Sequence, residues 1–146
     1  HIEAGASTLG VARAALERAY EHANDRVQFG TEIINHQTVA HDIAEMSAEL
    51  QAARSLLWTA ARAADEAPEL SYPFDSMAKV IAADTSVDVC HRSLELFGGS
   101  GIMLDEPIQK YFRDAISFLH SDGTQRAHKQ KVINELRGIE HWSGQA

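Results

Sequence analysis

The stretch Ser121-Asp122-Gly123-Thr124 interrupts two helix-like patterns, an apolar one running through Phe118 and Leu119 and a polar one after it. A carboxylate in such a break has two uses. Asp122 can cap the next helix by accepting a backbone N–H of its first turn, a task Thr124 can also perform. Alternatively it can serve as a general base held over a substrate, which requires an ionised carboxylate in a water-poor site. Three other groups carry possible chemistry. In Arg26-Val27-Gln28-Phe29-Gly30 the arginine offers a planar fork of donors suited to phosphate, and Phe29 a flat apolar face for a ring system. The same stretch also reads as a helix end, with Arg26 at the negative pole and Gly30 as the left-handed stop. His36-Gln37 offers donors and acceptors to a polar ligand, or simply faces water at a helix start. Gly98-Gly99-Ser100-Gly101 holds more glycine than one helix stop needs, and exposed backbone N–H groups there can approach a ligand closely.

These groups sit between segments with helical periodicity. Leu9, Ala12, Leu16, Ala19 and Ala23 form one stripe, and Ile43, Met46, Leu50, Ala53, Leu57 and Ala60 a longer one. Met77, Val80, Ile81, Val87, Leu94 and Phe97 make a third. Ile108, Phe112, Ala115 and Leu119 make a fourth, and Val132, Ile133 and Leu136 a short fifth. Pro68 and Pro73 flank the second link, and Asp105-Glu106-Pro107 marks a helix start. Each helix has one apolar stripe, and the links are short. The expected fold is therefore all-α: an up-and-down antiparallel bundle of four main helices plus a shorter C-terminal one, over residues 1–137, with 138–146 a flexible tail.

The bulk numbers narrow the function. The chain has 146 residues, 13 basic against 21 acidic, for a net charge of −8. That disfavours nucleic acid and anionic membrane surfaces, which call for a basic face. No apolar run is long enough to span a bilayer. The one cysteine, Cys90, forms no internal disulfide and suits a reducing compartment; with eight scattered histidines it builds no metal-ligand spacing, so no metal is expected. Trp58 and Cys90 read as helix packing. The chain opens at His1 directly in a helical pattern, as a piece of a longer protein would.

Taken together and in order, RVQFG, INHQTVAHDIAEM, LFGGSGIMLDEPIQKYFRDA and SDGT resemble the C-terminal domain of the acyl-CoA dehydrogenase family, from about Gly5 to Leu136. The resemblance implies a helical domain of a flavoenzyme that binds FAD and oxidises an acyl-CoA thioester to its α,β-enoyl form. It implies Asp122 as the base that removes the α-proton. It implies that Arg26, Gln28, Phe29, His36, Gln37, Gly98 and Gly99 contact FAD held mainly by a neighbouring subunit, Arg26 toward the pyrophosphate, in a homodimer or homotetramer. Thr124 would contact the FAD of its own subunit, and Arg126 joins the cofactor set. An electron-transfer flavoprotein or another acceptor would take the electrons, in the cytoplasm, or in the mitochondrial matrix of a eukaryote.

The chain departs from the family pattern in three places. Asp122 stands where most members have Glu, a methylene shorter, and a carboxylate displaced by about 1 Å can lose ~100-fold in rate. Glu95 replaces the usual Gln before the glycines, and Arg126 an uncharged residue; Arg126 would either offset Glu95 or bind phosphate. The family's N-terminal helical and middle β domains fall outside these residues, so the fragment alone is expected to hold FAD poorly and to be inactive. Two alternatives remain: a non-catalytic subunit that completes a partner's FAD site, with Asp122 only a cap, and the same machinery acting on another substrate such as a nitroalkane.

Overall fold

The computed structural model describes residues 1–66 and 68–138, with backbone alone at 69–72. Among the described residues five helices form: α1 (Ile2–Asp25), α2 (Gln37–Glu66), α3 (Pro68–Phe97), α4 (Ile108–Ser117) and α5 (Gln125–Leu136). A two-stranded hairpin, β1 (Val27–Gln28) and β2 (Thr31–Glu32), and a 3₁₀ turn at Ile33–Asn35 join α1 to α2; a second 3₁₀ turn, Gly98–Ile102, follows α3. The result is the expected antiparallel all-α bundle, with three long helices and two short ones. The tail expected after Arg137 lies outside the described residues from 139 onward.

The first two stripes face the core as read. On α1 Leu9, Ala12, Leu16, Ala19 and Ala23 are buried, joined by Gly5, Thr8 and Ala15; on α2 Ile43, Met46, Ala53, Leu57 and Ala60 are. Ala12, Ala15, Ala19 and Ala23 have no exposed surface, and such small side chains let α3 pack close to α1.

The third stripe is different. Helix α3 is packed by α1, α2, α4 and α5 together. A helix enclosed on so many sides buries small residues, and Ser76, Ala78, Ala82, Ala83, Ser86 and Ser93 fill that role. Of the predicted stripe only Val80 and Phe97 are buried, while Ile81 stays exposed. The prolines also differ from expectation. Pro68 opens α3, where its missing N–H is harmless, and Pro73 lies inside the helix, where it removes a single ladder bond. On α5 the expected apolar stripe is not the buried one: Leu136 is largely exposed, and the fully buried residue is His128.

Polar contacts fix the register. Arg92 on α3 meets Asp42, Glu45 and Glu49 of α2, and Asp88 one turn back. Arg18 on α1 reaches Glu106 at 3.2 Å, tying the start of α4 to α1. Among the described residues no helix is long and apolar enough to cross a membrane, and no group of three potential metal ligands converges.

Candidate functional site

Helix α1 ends at Asp25, and Arg26 leaves it in an extended conformation. Val27 and Gln28 pair with Glu32 and Thr31, so Phe29 and Gly30 occupy the two central positions of a tight hairpin. Both have positive φ, 54° and 86°, which is the type I′ turn favoured between twisted strands. Gly30 is thus a turn residue and not the helix stop read from the sequence. The left-handed region costs a residue with a bulky side chain about 1–2 kcal/mol. Phe29 nonetheless occupies it, and its ring is 96% exposed, so packing within the chain does not offset the strain. His36 braces the turn. Its Nε2–H donates to the Gln28 carbonyl at 3.1 Å, and its ring meets Phe29 edge-on at 6.0 Å between centroids. Gln37 is the exposed first residue of α2.

Beside this hairpin lies a cleft of about 420 Å³ lined by His22, Arg26, Gln28, Ile33 and residues 95–100. Gly98 and Gly99 line it and Gly101 lies buried just beyond, and the three glycines differ in what they require. Gly98 has φ +57° and is the left-handed stop of α3. A Cβ on Gly101 would lie 2.9 Å from both the Leu94 carbonyl and the Phe97 Cβ, so Gly101 is needed for close packing. Gly99 has neither constraint: its φ is not positive and a Cβ would meet nothing within 4 Å. Its missing side chain leaves the cleft open. His22, which sequence reasoning passed over, lies one helical turn before Arg26, and that spacing was the available signal. It stacks on Phe97 at 4.0 Å, with the Arg18 guanidinium 5.5 Å from the same ring. Burial pushes the His22 imidazole below its usual value, so Arg26 is left as the cleft's cation. Glu95 also lines the cleft, largely exposed, with His91 Nε2 at 4.0 Å as its neighbour. Arg126 does not offset Glu95 within the chain; it borders a separate hollow on α5 with Ala127, Gln130 and Lys131.

The Asp122 turn is built elsewhere. Thr124, not Asp122, caps α5: its Oγ1 accepts the Ala127 N–H at 3.2 Å. Asp122 is therefore free of the capping role. It has φ 55°, followed by Gly123 at 100°. Its carboxylate accepts from His1 Nδ1 at 2.5 Å, and Lys131 Nζ donates to His1 Nε2 at 2.9 Å, which fixes the tautomer of that imidazole. The Asp122 side chain keeps 45% of its surface exposed.

The two constellations stand at opposite ends of α1. Asp122 touches His1, just before the helix; Arg26 directly follows it. A 24-residue helix is about 36 Å long. Within one chain, then, Arg26, Gln28, Gly98 and Gly99 share a cleft, Phe29 and His36 form the adjoining hairpin turn with Gln37 next in sequence at the start of α2, and Asp122, Thr124 and Arg126 form a distant second group.

The model of the acyl-CoA dehydrogenase C-terminal domain matches residues 2–136. The chain belongs to the acyl-CoA dehydrogenase family. It is 34% identical to 3-sulfinopropanoyl-CoA desulfinase of Cupriavidus necator over 92% of this chain and 34% of that protein. It is 30% identical to cyclohexane-1-carbonyl-CoA dehydrogenase of Geobacter metallireducens over 90% of this chain and 34% of that one. The structure of butyryl-CoA dehydrogenase from Megasphaera elsdenii superposes with a TM-score of 0.89 at 30% identity, covering 93% of this chain and 35% of that structure. The chain thus spans about a third of the length of the acyl-CoA dehydrogenase relatives it matches.

Proposed function

We propose that this domain serves a full-length FAD-dependent acyl-CoA dehydrogenase in which Asp122 takes the α-proton of a CoA thioester. The observation that carries the reading is the division of labour along α1: a carboxylate relieved of capping at one end, and an open glycine-lined cleft with one arginine at the other. Donors in that cleft fit a pyrophosphate. Arg26 supplies the charge, Gly98 and Gly99 bare backbone, and Phe29 an exposed ring for a flat apolar group. Glu95 is the unfavourable member, placed at the rim where it can turn toward His91. FAD, when bound, supplies the hydride acceptor.

The residues of this chain then do the following. Asp122, oriented by the His1 N–H, accepts the proton from the carbon next to the thioester carbonyl. Thr124, beside it, holds the start of α5 and with Arg126 faces the cofactor of its own subunit. Since about 36 Å separates the two groups, the cleft of one chain serves the base of another, and the working form is a homodimer or homotetramer. An electron-transfer flavoprotein or a comparable acceptor would be the redox partner, in the cytoplasm or, in a eukaryote, the mitochondrial matrix. The chain spans about a third of its relatives' length, and on this reading it is inactive without the rest of the enzyme.

The test is Asp122→Asn in the full-length enzyme. It should retain FAD and bind acyl-CoA but fail to bleach flavin absorbance. Bleaching at the normal rate would remove Asp122 from the chemistry. The relatives' names share only the CoA thioester, so the assay should cover straight-chain, cyclic and sulfinated acyl-CoA, with a nitroalkane as the non-thioester control.

A further inference from the structure

Two buried titratable side chains have no part in the reading above. Lys79 on α3 is 1% exposed and His128 on α5 is fully buried, yet both are aimed at the same exposed dipeptide. Lys79 Nζ donates to the Gly123 carbonyl at 2.9 Å and to Gln125 Oε1 at 3.0 Å. His128 Nε2–H donates to the Asp122 carbonyl at 2.8 Å, and Ser76 Oγ–H donates to its Nδ1 at 3.3 Å. Gln125 is held in turn, its amide donating to the Val80 carbonyl at 3.0 Å and to Asp84 Oδ1 at 2.7 Å. Two successive carbonyls are thereby gripped by two buried groups from different helices.

A plain helix–helix link does not require this. Thr124 already supplies the cap, and a surface turn can leave its carbonyls to water. Burying an ammonium is unfavourable: burial pushes Lys79 below its usual value, with the Asp122 and Asp84 carboxylates pulling the other way. The grip also holds a strained conformation. Asp122 and Gly123 both lie in the left-handed region, and a Cβ on Gly123 would come within 3.0 Å of His128 Nε2. Fixing these two peptides fixes the direction in which the Asp122 side chain leaves the turn.

We propose that Lys79 and His128 are positioning residues for Asp122, locking the Asp122–Gly123 backbone so that the carboxylate points to one place. The proposal rests on the reading of Asp122 as the base. A base that wanders by about 1 Å loses roughly 100-fold in rate, while binding contacts made elsewhere are untouched.

The experiment uses the full-length holoenzyme and follows rapid flavin reduction by acyl-CoA, with FAD content and acyl-CoA Kd measured in parallel. Lys79→Met and His128→Leu should keep FAD content and Kd within about 2-fold and slow flavin reduction by about 100-fold. Lys79→Arg and His128→Gln, which keep a donor, should recover most of the rate. If Lys79→Met does not accumulate as folded protein, the His128 pair carries the test alone. Normal flavin reduction in Lys79→Met and His128→Leu, with Asp122→Asn dead, would overturn this inference and leave the base in place. A rate loss that the donor-keeping variants fail to recover would overturn it too. Normal reduction in Asp122→Asn would instead overturn the base, and this inference with it.

Discussion

Phe29→Asn separates folding from ligand binding at one residue. Phe29 sits at φ 54°, where a bulky side chain costs about 1–2 kcal/mol, and asparagine tolerates that region far better. Because the ring is 96% exposed, its removal forfeits almost no buried apolar surface. It does forfeit the edge-on approach to His36, worth about 0.5 kcal/mol. The net expectation is a gain of about 1 kcal/mol in the domain, seen as a higher urea midpoint with an unchanged slope. In the full-length protein the same change should weaken FAD retention, measured as flavin absorbance per protein after gel filtration. Strain tolerated for a ligand gives opposite signs in the two assays. A loss of stability, or unchanged FAD retention, would show that the strained turn is not kept for a ligand.

Three further outcomes follow from single substitutions. Gly101→Ala should destabilise the domain by about 1–3 kcal/mol, because its Cβ meets backbone at 2.9 Å, whereas Gly99→Ala should leave the urea midpoint within about 0.5 kcal/mol yet reduce FAD retention. Burial, the largest influence on His128, holds its imidazole below the usual value, so the unfolded chain binds the proton first. Stability conferred by the neutral ring is fully present above about pH 6.5 and is lost as pH falls below it; His128→Gln should flatten that part of the urea-midpoint profile between pH 7.5 and 5.5.

What was legible in the sequence depended on how many faces each element buries. Helices α1 and α2 bury one face, so Leu, Ile and Ala at intervals of three and four marked their cores correctly. Helix α3 is enclosed, and its serines and alanines carried no contrast to read. The hairpin escaped notice because two-residue strands have no periodicity, and Phe29 is not the Asn or Asp that announces a type I′ turn. The cap at Thr124 was one of two readings that local sequence could not separate; the three-dimensional partner, Ala127 N–H, decides it. The grip on the Asp122 turn was invisible for a different reason. Lys79 and Gly123 are 44 positions apart, and only the packing of α3 against α5 brings them together. Most candidate site groups stood out by residue type, and the family resemblance assigned them to two different subunits' FAD; what sequence did not give is the distance, since the length of α1 puts about 36 Å between the two groups.

The proposed function has the base and the cleft of one chain serve different active sites. Hybrid oligomers test it directly. Full-length protein carrying Asp122→Asn is co-expressed with full-length protein carrying Arg26→Ala and Phe29→Ala, and hybrids are isolated through two different affinity tags. If sites form between chains, each hybrid dimer has one site with both lesions and one with none, and flavin reduction by acyl-CoA returns at about half the wild-type amplitude. Inactive hybrids of verified composition would contradict the claim, because they would place the base and the cleft of one chain in the same site.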